Sequence, residues 1–306
     1  MDKFLPEGSL INTPQNVRAV SSFSGIKKAM ENGMVLEGIC RLCDRDHNLH
    51  VDVGEYEGII PRTEGAVGIE TGEVRDIALI SRVNKPVAFI IKGLTEADGE
   101  TKLLLSRKEV QQRCRSEYVE RLVPGDIIDA KVTHMETFGA FADIGVGINA
   151  LLPIDSISVS RIPHPNARFI QGQSIKCIVK NCEDNKITLS HKELLGTWEE
   201  NAKKFAPGET VPGVVRSVEK YGIFVELTPN LAGLAEYVPG ILPGQHAGVY
   251  IKSMNADKMK IKLIIIDNFD ANYLPAPAEY YIGNEDHIEY WRYSPPGASK
   301  IIESVF

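Results

Sequence analysis

PGDIIDAKVTHMETFGAFADIGVG, residues 124–147, decides the reading of this chain. A Pro-Gly pair opens a β-prone run, which ends at an aromatic-Gly-x-aromatic unit, Phe138-Gly139-Ala140-Phe141. The pattern returns in PGETVPGVVRSVEKYGIFVEL, residues 207–227, and in both copies the first aromatic lies 14 residues after the proline. Downstream, GQSIKCIVKNCEDNKITLSHK (172–192) aligns without gaps on HAGVYIKSMNADKMKIKLIII (246–266). A more distant copy precedes them: HNLHVDVG (47–54) stands where FGAFADIG (138–145) stands, and KLLLSRK (102–108) matches KITLSHK (186–192). Repeats of about 75 to 90 residues are too long for solenoid units and read as separate small domains.

Within each repeat, short alternating stretches are punctuated by Gly, Pro, Asn and Asp, which predicts several strands in a small barrel or sandwich. Between repeats, 106–122 and 192–205 have no internal proline, are rich in helix formers and end before a Pro-Gly, so they predict helical connectors. Residues 16–33 read as a comparable helix before the first barrel. The expected segments are 1–33, an N-terminal segment with a helix; 34–108, a divergent repeat; 109–121, a helical linker; 122–192, a repeat; 193–206, a second linker; 207–266, a repeat; and 267–306, an acidic aromatic tail.

The residues of the middle repeat resemble the RNA-binding repeat of ribosomal protein S1, a five-stranded OB-fold barrel. The matching elements are Pro124-Gly125, Phe138-Gly139-Ala140-Phe141, Asp143-Ile144-Gly145, Ala150-Leu151-Leu152-Pro153, Gly172-Gln173 and Leu189-Ser190-His191-Lys192. The expected fold class is therefore all-β: three tandem five-stranded OB-fold barrels joined by short helical connectors. The resemblance implies that both aromatics of each pair contact RNA. It also implies a histidine on the third strand and an Asp-x-x-x-Arg pair before the fifth, and this chain departs from both. Pro61, Pro153 and Glu236 hold the histidine position, while Cys182 with Lys186 and Ala256 with Lys260 replace the acid–base pair. The first repeat keeps that pair as Asp98 and Lys102 but replaces the aromatics with His47 and His50.

Strand parity reads the aromatics independently, because successive side chains point to opposite faces. Ile223, Val225 and Leu227 make one apolar face, so Phe224 lies outside beside Glu226. Phe141 shares parity with Asp143 and is likewise expected outside. Phe138 and Tyr221 have the opposite parity, but each precedes a glycine that can host a bend. An exposed aromatic on an OB barrel is a stacking platform for an unpaired base. The expected RNA-binding residues are Phe138, Phe141, Tyr221 and Phe224 with Lys131, Lys176, Lys180, Lys186, Lys252 and Lys260. Arg216 and Lys220 lie near the same face.

Charge sharpens the choice of barrel. The net charge is −7, but 267–306 contributes −5 and 34–108 contributes −3, whereas 122–192 is balanced and 207–266 is +1. The middle and third barrels are the expected RNA sites. Cys40-x-x-Cys43 with His47 and His50 spaces its ligands too tightly for a usual zinc site, and the five cysteines suggest no disulfide framework. No Walker loop, GxGxxG, GxSxG or HExxH is present, so neither an enzyme nor a cofactor is expected. In the tail, 280–291 reads as a hairpin about Gly283-Asn284, with Tyr290-Trp291-Arg292-Tyr293 packing on the third barrel and SPPGASK ending regular structure. The N-terminus lacks a secretory signal and no apolar run approaches membrane length, so the expected location is the cytoplasm. The function expected from all this is non-enzymatic binding of single-stranded RNA, mRNA in particular, at or near the small ribosomal subunit. The alternative is a protein–protein adaptor that docks through degenerate barrels.

Overall fold

A computed structural model of the protein describes residues 4–97, 100–183 and 186–306, with side chains omitted for 96–101. Two compact units are present: Met1–Leu122 with Asp143–Asn149, and Val123–Ala142 with Ala150–Phe306.

The first unit opens with α1 (Pro14–Val20) and α2 (Phe23–Glu31). A single helix over 16–33 was expected; instead Ser22 takes an extended conformation and caps α2 by accepting from the Gly25 N–H. The first barrel follows as β1 (Leu36–Cys43), β2 (Leu49–Val53), β3 (Tyr56–Ile60), the short α3 (Ile77–Ile80), β4 (Pro86–Ala97) and β5 (Glu100–Ser106). Its strands close in the order β1-β2-β3-β5-β4. Leu36, Leu49, Val51, Val53, Ile60, Phe89 and Leu103 fill the interior, and Ile26 and Ala29 of α2 pack against them. The connector α4 (Lys108–Glu117) is shorter than the expected 106–122 and ends in a separate 3₁₀ turn at Val119–Arg121.

The other two barrels belong to the second unit, apart from the middle barrel's Asp143–Asn149, which group with the first. The middle one is β6 (Ile127–Glu136), β7 (Gly139–Gly145), β8 (Ile148–Pro153), β9 (Ser174–Glu183) and β10 (Lys186–Ser190). The third is β11 (Thr210–Glu219), β12 (Gly222–Thr228), β13 (Leu231–Ala235), β14 (His246–Asn255) and β15 (Lys260–Phe269). Both close in the same order as the first, with the third and fifth strands parallel, which is the OB arrangement. The connector between them is not one helix over 192–205. A 3₁₀ turn at Lys192–Leu195 meets Gly196 at φ +83°, and only then does α5 (Trp198–Ala202) begin, with a capping box between Thr197 and Glu200.

The tail departs most from expectation. No hairpin forms over 280–291; β16 (Tyr290–Arg292) pairs with β17 (Glu303–Val305), so SPPGASK lies in the connection between two strands rather than ending regular structure. Of the strip expected to pack on the third barrel, Trp291 and Tyr293 join its core, while Tyr290 is exposed. Tyr280, Ile282 and Ile288 pack on Ile127 and Ile178 of the middle barrel. Among the described residues no helix is long and apolar enough to cross a membrane.

Candidate nucleic-acid interface

Both aromatic pairs are built by the same device. β6 stops at Glu136 and β7 starts at Gly139, so Thr137 and Phe138 form the hairpin turn; Lys220 and Tyr221 do the same between β11 and β12. Strand alternation therefore does not govern Phe138 or Tyr221, which stand 55% and 71% exposed. The glycine after each is required by close approach: a Cβ on Gly139 would lie 2.5 Å from the Leu152 carbonyl oxygen, and one on Gly222 2.6 Å from that of Ala235. Phe141 and Phe224 lie half-buried on the outer faces of β7 and β12, while Ala140, Ala142 and Ile144, or Ile223 and Val225, fill the interiors.

The two pairs have matching geometry. The Phe138 and Phe141 ring centroids are 6.1 Å apart with planes at 86°, and those of Tyr221 and Phe224 are 6.2 Å apart at 86°. Edge-to-face pairing is favourable in itself and leaves ring faces for a base to stack on. His134 stacks beside Phe141, centroid to centroid 6.5 Å. In the third barrel the outer row continues across the sheet from Ser217 through Phe224 and Leu234 to Lys262 and Ser253. Lys262 is exposed and, with Leu234, was missed by the sequence reading; the alternation of KMKIKL carried the signal for the lysine.

The lysines are scattered around the barrels. Lys180, Lys186, Lys252 and Lys260 are exposed, and Lys131 is half-buried on β6. The Lys180 ammonium donates to the Ser156 hydroxyl at 3.1 Å. Lys176 faces the tail: its ammonium pairs with Asp129 at 2.9 Å, and its backbone N–H donates to the Tyr280 hydroxyl at 2.9 Å. Arg216 is engaged as well, its guanidinium forked onto Glu226 by two bonds of 2.8 Å.

The two acids that share parity with the phenylalanines do leave the barrel interior, but not for water. Asp143 is buried, accepting from the backbone N–H groups of Glu7, Gly145 and Gly147. Burial pushes its carboxyl up to about 7, with the nearby Glu7 carboxylate adding to the effect. Glu226 is buried between Arg216 and Arg168, the latter at 2.6 Å. Arg168 belongs to the middle barrel, so this ion triad ties it to the third.

The first barrel spends the equivalent position differently. His50 stands where Phe141 stands, between Leu42 on β1 and Ile59 on β3. Its Nδ1 lies 2.5 Å from Glu57 and its Nε2 3.3 Å from Asp44, while Lys102 reaches the same Glu57 at 2.9 Å. The hydrogen bond from His50, then that from Lys102, holds the Glu57 carboxyl below the usual range. Asp98 lies outside the described residues. Cys40 is buried in the core, where burial raises its thiol to about 11. Among the described residues no group of His, Cys, Asp or Glu side chains has the arrangement of a metal site.

Residues 121–192 match the family described as the S1 RNA binding domain. Over 301 residues the chain is 28% identical to small ribosomal subunit protein bS1 of Staphylococcus aureus (strain COL), covering 91% of this chain and 74% of the relative. The bS1 protein of Rhodopseudomonas palustris is 29% identical over 234 residues, 74% of this chain and 40% of the relative. A solved multidomain protein with nucleic acid binding domains from Streptococcus pneumoniae covers 77% of this chain and 74% of its own at 13% identity. Its TM-score of 0.26 is too low to bear on how the barrels are arranged.

Proposed function

We propose that this chain, whose residues 121–192 match the S1 RNA binding domain family and which is similar over most of its length to bacterial bS1 proteins, holds single-stranded RNA on the outer faces of its middle and third barrels. The role is non-enzymatic and belongs with translation, in the cytoplasm and in association with the small ribosomal subunit. The observation that carries the reading is the repeated edge-to-face aromatic pair, at 6.1 Å in one barrel and 6.2 Å in the next. Exposed rings are useful to unstacked bases and useless to the inside of a duplex, so RNA without secondary structure is the ligand they fit. The cationic share is modest, since Lys176 and Arg216 are committed to acids of the protein itself.

The test is a titration of unstructured RNA against the folded Phe141→Ala, Phe224→Ala double variant. Each base that loses its stack is expected to cost about 1–3 kcal/mol. The exposure of Phe138 and Tyr221 predicts that their alanine variants also lose affinity while melting close to the parent. Unchanged affinity in the double variant would overturn the stacking reading.

One observation favours a second role for the first barrel. Its stacking position is filled by a histidine locked between Asp44 and Glu57, a surface unsuited to phosphate. That barrel fits the adaptor reading better than the RNA reading.

A further inference from the structure

We infer that Tyr237 is a third stacking residue of the third barrel, offering an unpaired base a place that the middle barrel, with Ile154 there, lacks. The inference rests on the stacking reading above and adds a residue to it. Tyr237 lies two residues beyond β13 and is 54% exposed. The β12–β13 register sets Ile223 against Ala235 and Phe224 against Leu234, and Tyr237 follows two residues after the last pair, at the same end of the barrel as Tyr221. In the middle barrel the corresponding step is held by a backbone bond, from the Ile154 N–H to the Phe138 carbonyl at 2.9 Å.

What occupies that position differs among the three barrels. The middle barrel has Ile154. The first has Arg62, by the register that pairs Leu49 with Ile60, and its guanidinium is taken by Asp76 at 2.6 Å. Only the third barrel has an aromatic ring there, beside Glu236, which stands where the resemblance expects a histidine. Tyr221 and Tyr237 are exposed at this end of the barrel, where the Phe224 ring meets Tyr221 and Leu234 pairs with Lys262. A tyrosine brings a broad ring with only two rotatable side-chain bonds, so little entropy is lost when a base settles on it. The loop that carries it is short and anchored: the Leu242 N–H donates to the Gln245 side chain at 3.0 Å, and the Gly244 N–H to the Val215 carbonyl at 2.8 Å.

The experiment uses the full chain and a dye-labelled oligouridylate. Affinities are measured for the parent, Tyr237→Ala, Tyr237→Phe and Phe224→Ala, with melting curves for each. Tyr237→Ala is expected to weaken binding by about five- to a hundred-fold, the range of one lost base stack, while Tyr237→Phe binds like the parent. Parental affinity in Tyr237→Ala beside weakened binding in Phe224→Ala would overturn the role of Tyr237 and leave the stacking reading standing. Equal losses in Tyr237→Ala and Tyr237→Phe would overturn stacking at this residue in favour of its hydroxyl. Parental affinity in both alanine variants would overturn the stacking reading itself.

Discussion

His191 shows how a polar, titratable residue can act as core in the fold. It is the third residue of the LSHK element, beside the charged Lys192, and it is buried in the second unit. Its Nδ1 lies 3.0 Å from the Ile157 carbonyl, its Nε2 3.4 Å from the Tyr280 hydroxyl, and the Phe169 ring meets it edge-on. Burial pushes its pKa down to about 4. An unfolded histidine titrates near 6.5, so between about 4 and 6.5 the unfolded chain binds the extra proton. Stability is therefore full above this window and is lost as pH falls through it, by about 3 kcal/mol from this group. Thermal melting of the second unit should fall more steeply from pH 7 to pH 4.5 in the parent than in His191→Asn. Parallel pH slopes would show that burial does not hold this ring neutral.

At the scale of the element, the aromatic-Gly-x-aromatic unit works because the glycine lets the neighbouring strand come close. With no Cβ at Gly139, the Leu152 carbonyl occupies the space a side chain would take, and the turn before it can aim Phe138 outward. Gly139→Ala must push β8 away from β7, an overpacking cost of roughly 1–3 kcal/mol. The expected result is a lower melting temperature together with weaker RNA binding, since the ring pair sits on β7 and the turn before it, beside the disturbed pairing. A Gly139→Ala protein that melts like the parent would refute the close approach. The connectors teach the complementary point. Helix-forming composition over 192–205 was real, but Gly196 at positive φ and the cap at Thr197 cut it into a 3₁₀ turn and one short helix. Composition reports what a segment tolerates; the caps decide where it starts and stops.

At the scale of the molecule, the tail is part of the second unit. Trp291 and Tyr293 complete the third barrel's core, and the Tyr293 hydroxyl donates to the Asn230 carbonyl. Asn230 in turn donates to the Lys192 and Gly196 carbonyls and accepts from the Val159 N–H, which places the connector and the middle barrel around it. A fragment ending at residue 266, complete by its repeats, would lack these groups. Deleting 287–306 from the full chain should destabilise the second unit by at least the roughly 3–5 kcal/mol expected for losing one large core aromatic. Calorimetry reads this directly: the second unit's transition should shift down while the first unit's stays in place. A truncated chain with both transitions unmoved would show the tail to be decoration.

The sequence by itself determined three barrels of one kind and, by alternation, the outward placing of Phe141 and Phe224. Those features rest on local rules: alternation along a strand, glycine at a turn, and a pattern written two or three times over. It also located the surplus of acid at the two ends. Only the tertiary structure decided what becomes of an outward side chain. Phe141 and Phe224 remain at the surface, while Asp143 and Glu226, on the same strand faces, are covered by Glu7 and by Arg168 from far along the chain. The tail's pairing of β16 with β17, and the seating of Trp291 in a barrel core, were decided at the same level. Alternation says which side of a sheet a residue takes; whether that side meets water depends on contacts between segments that the local pattern does not encode.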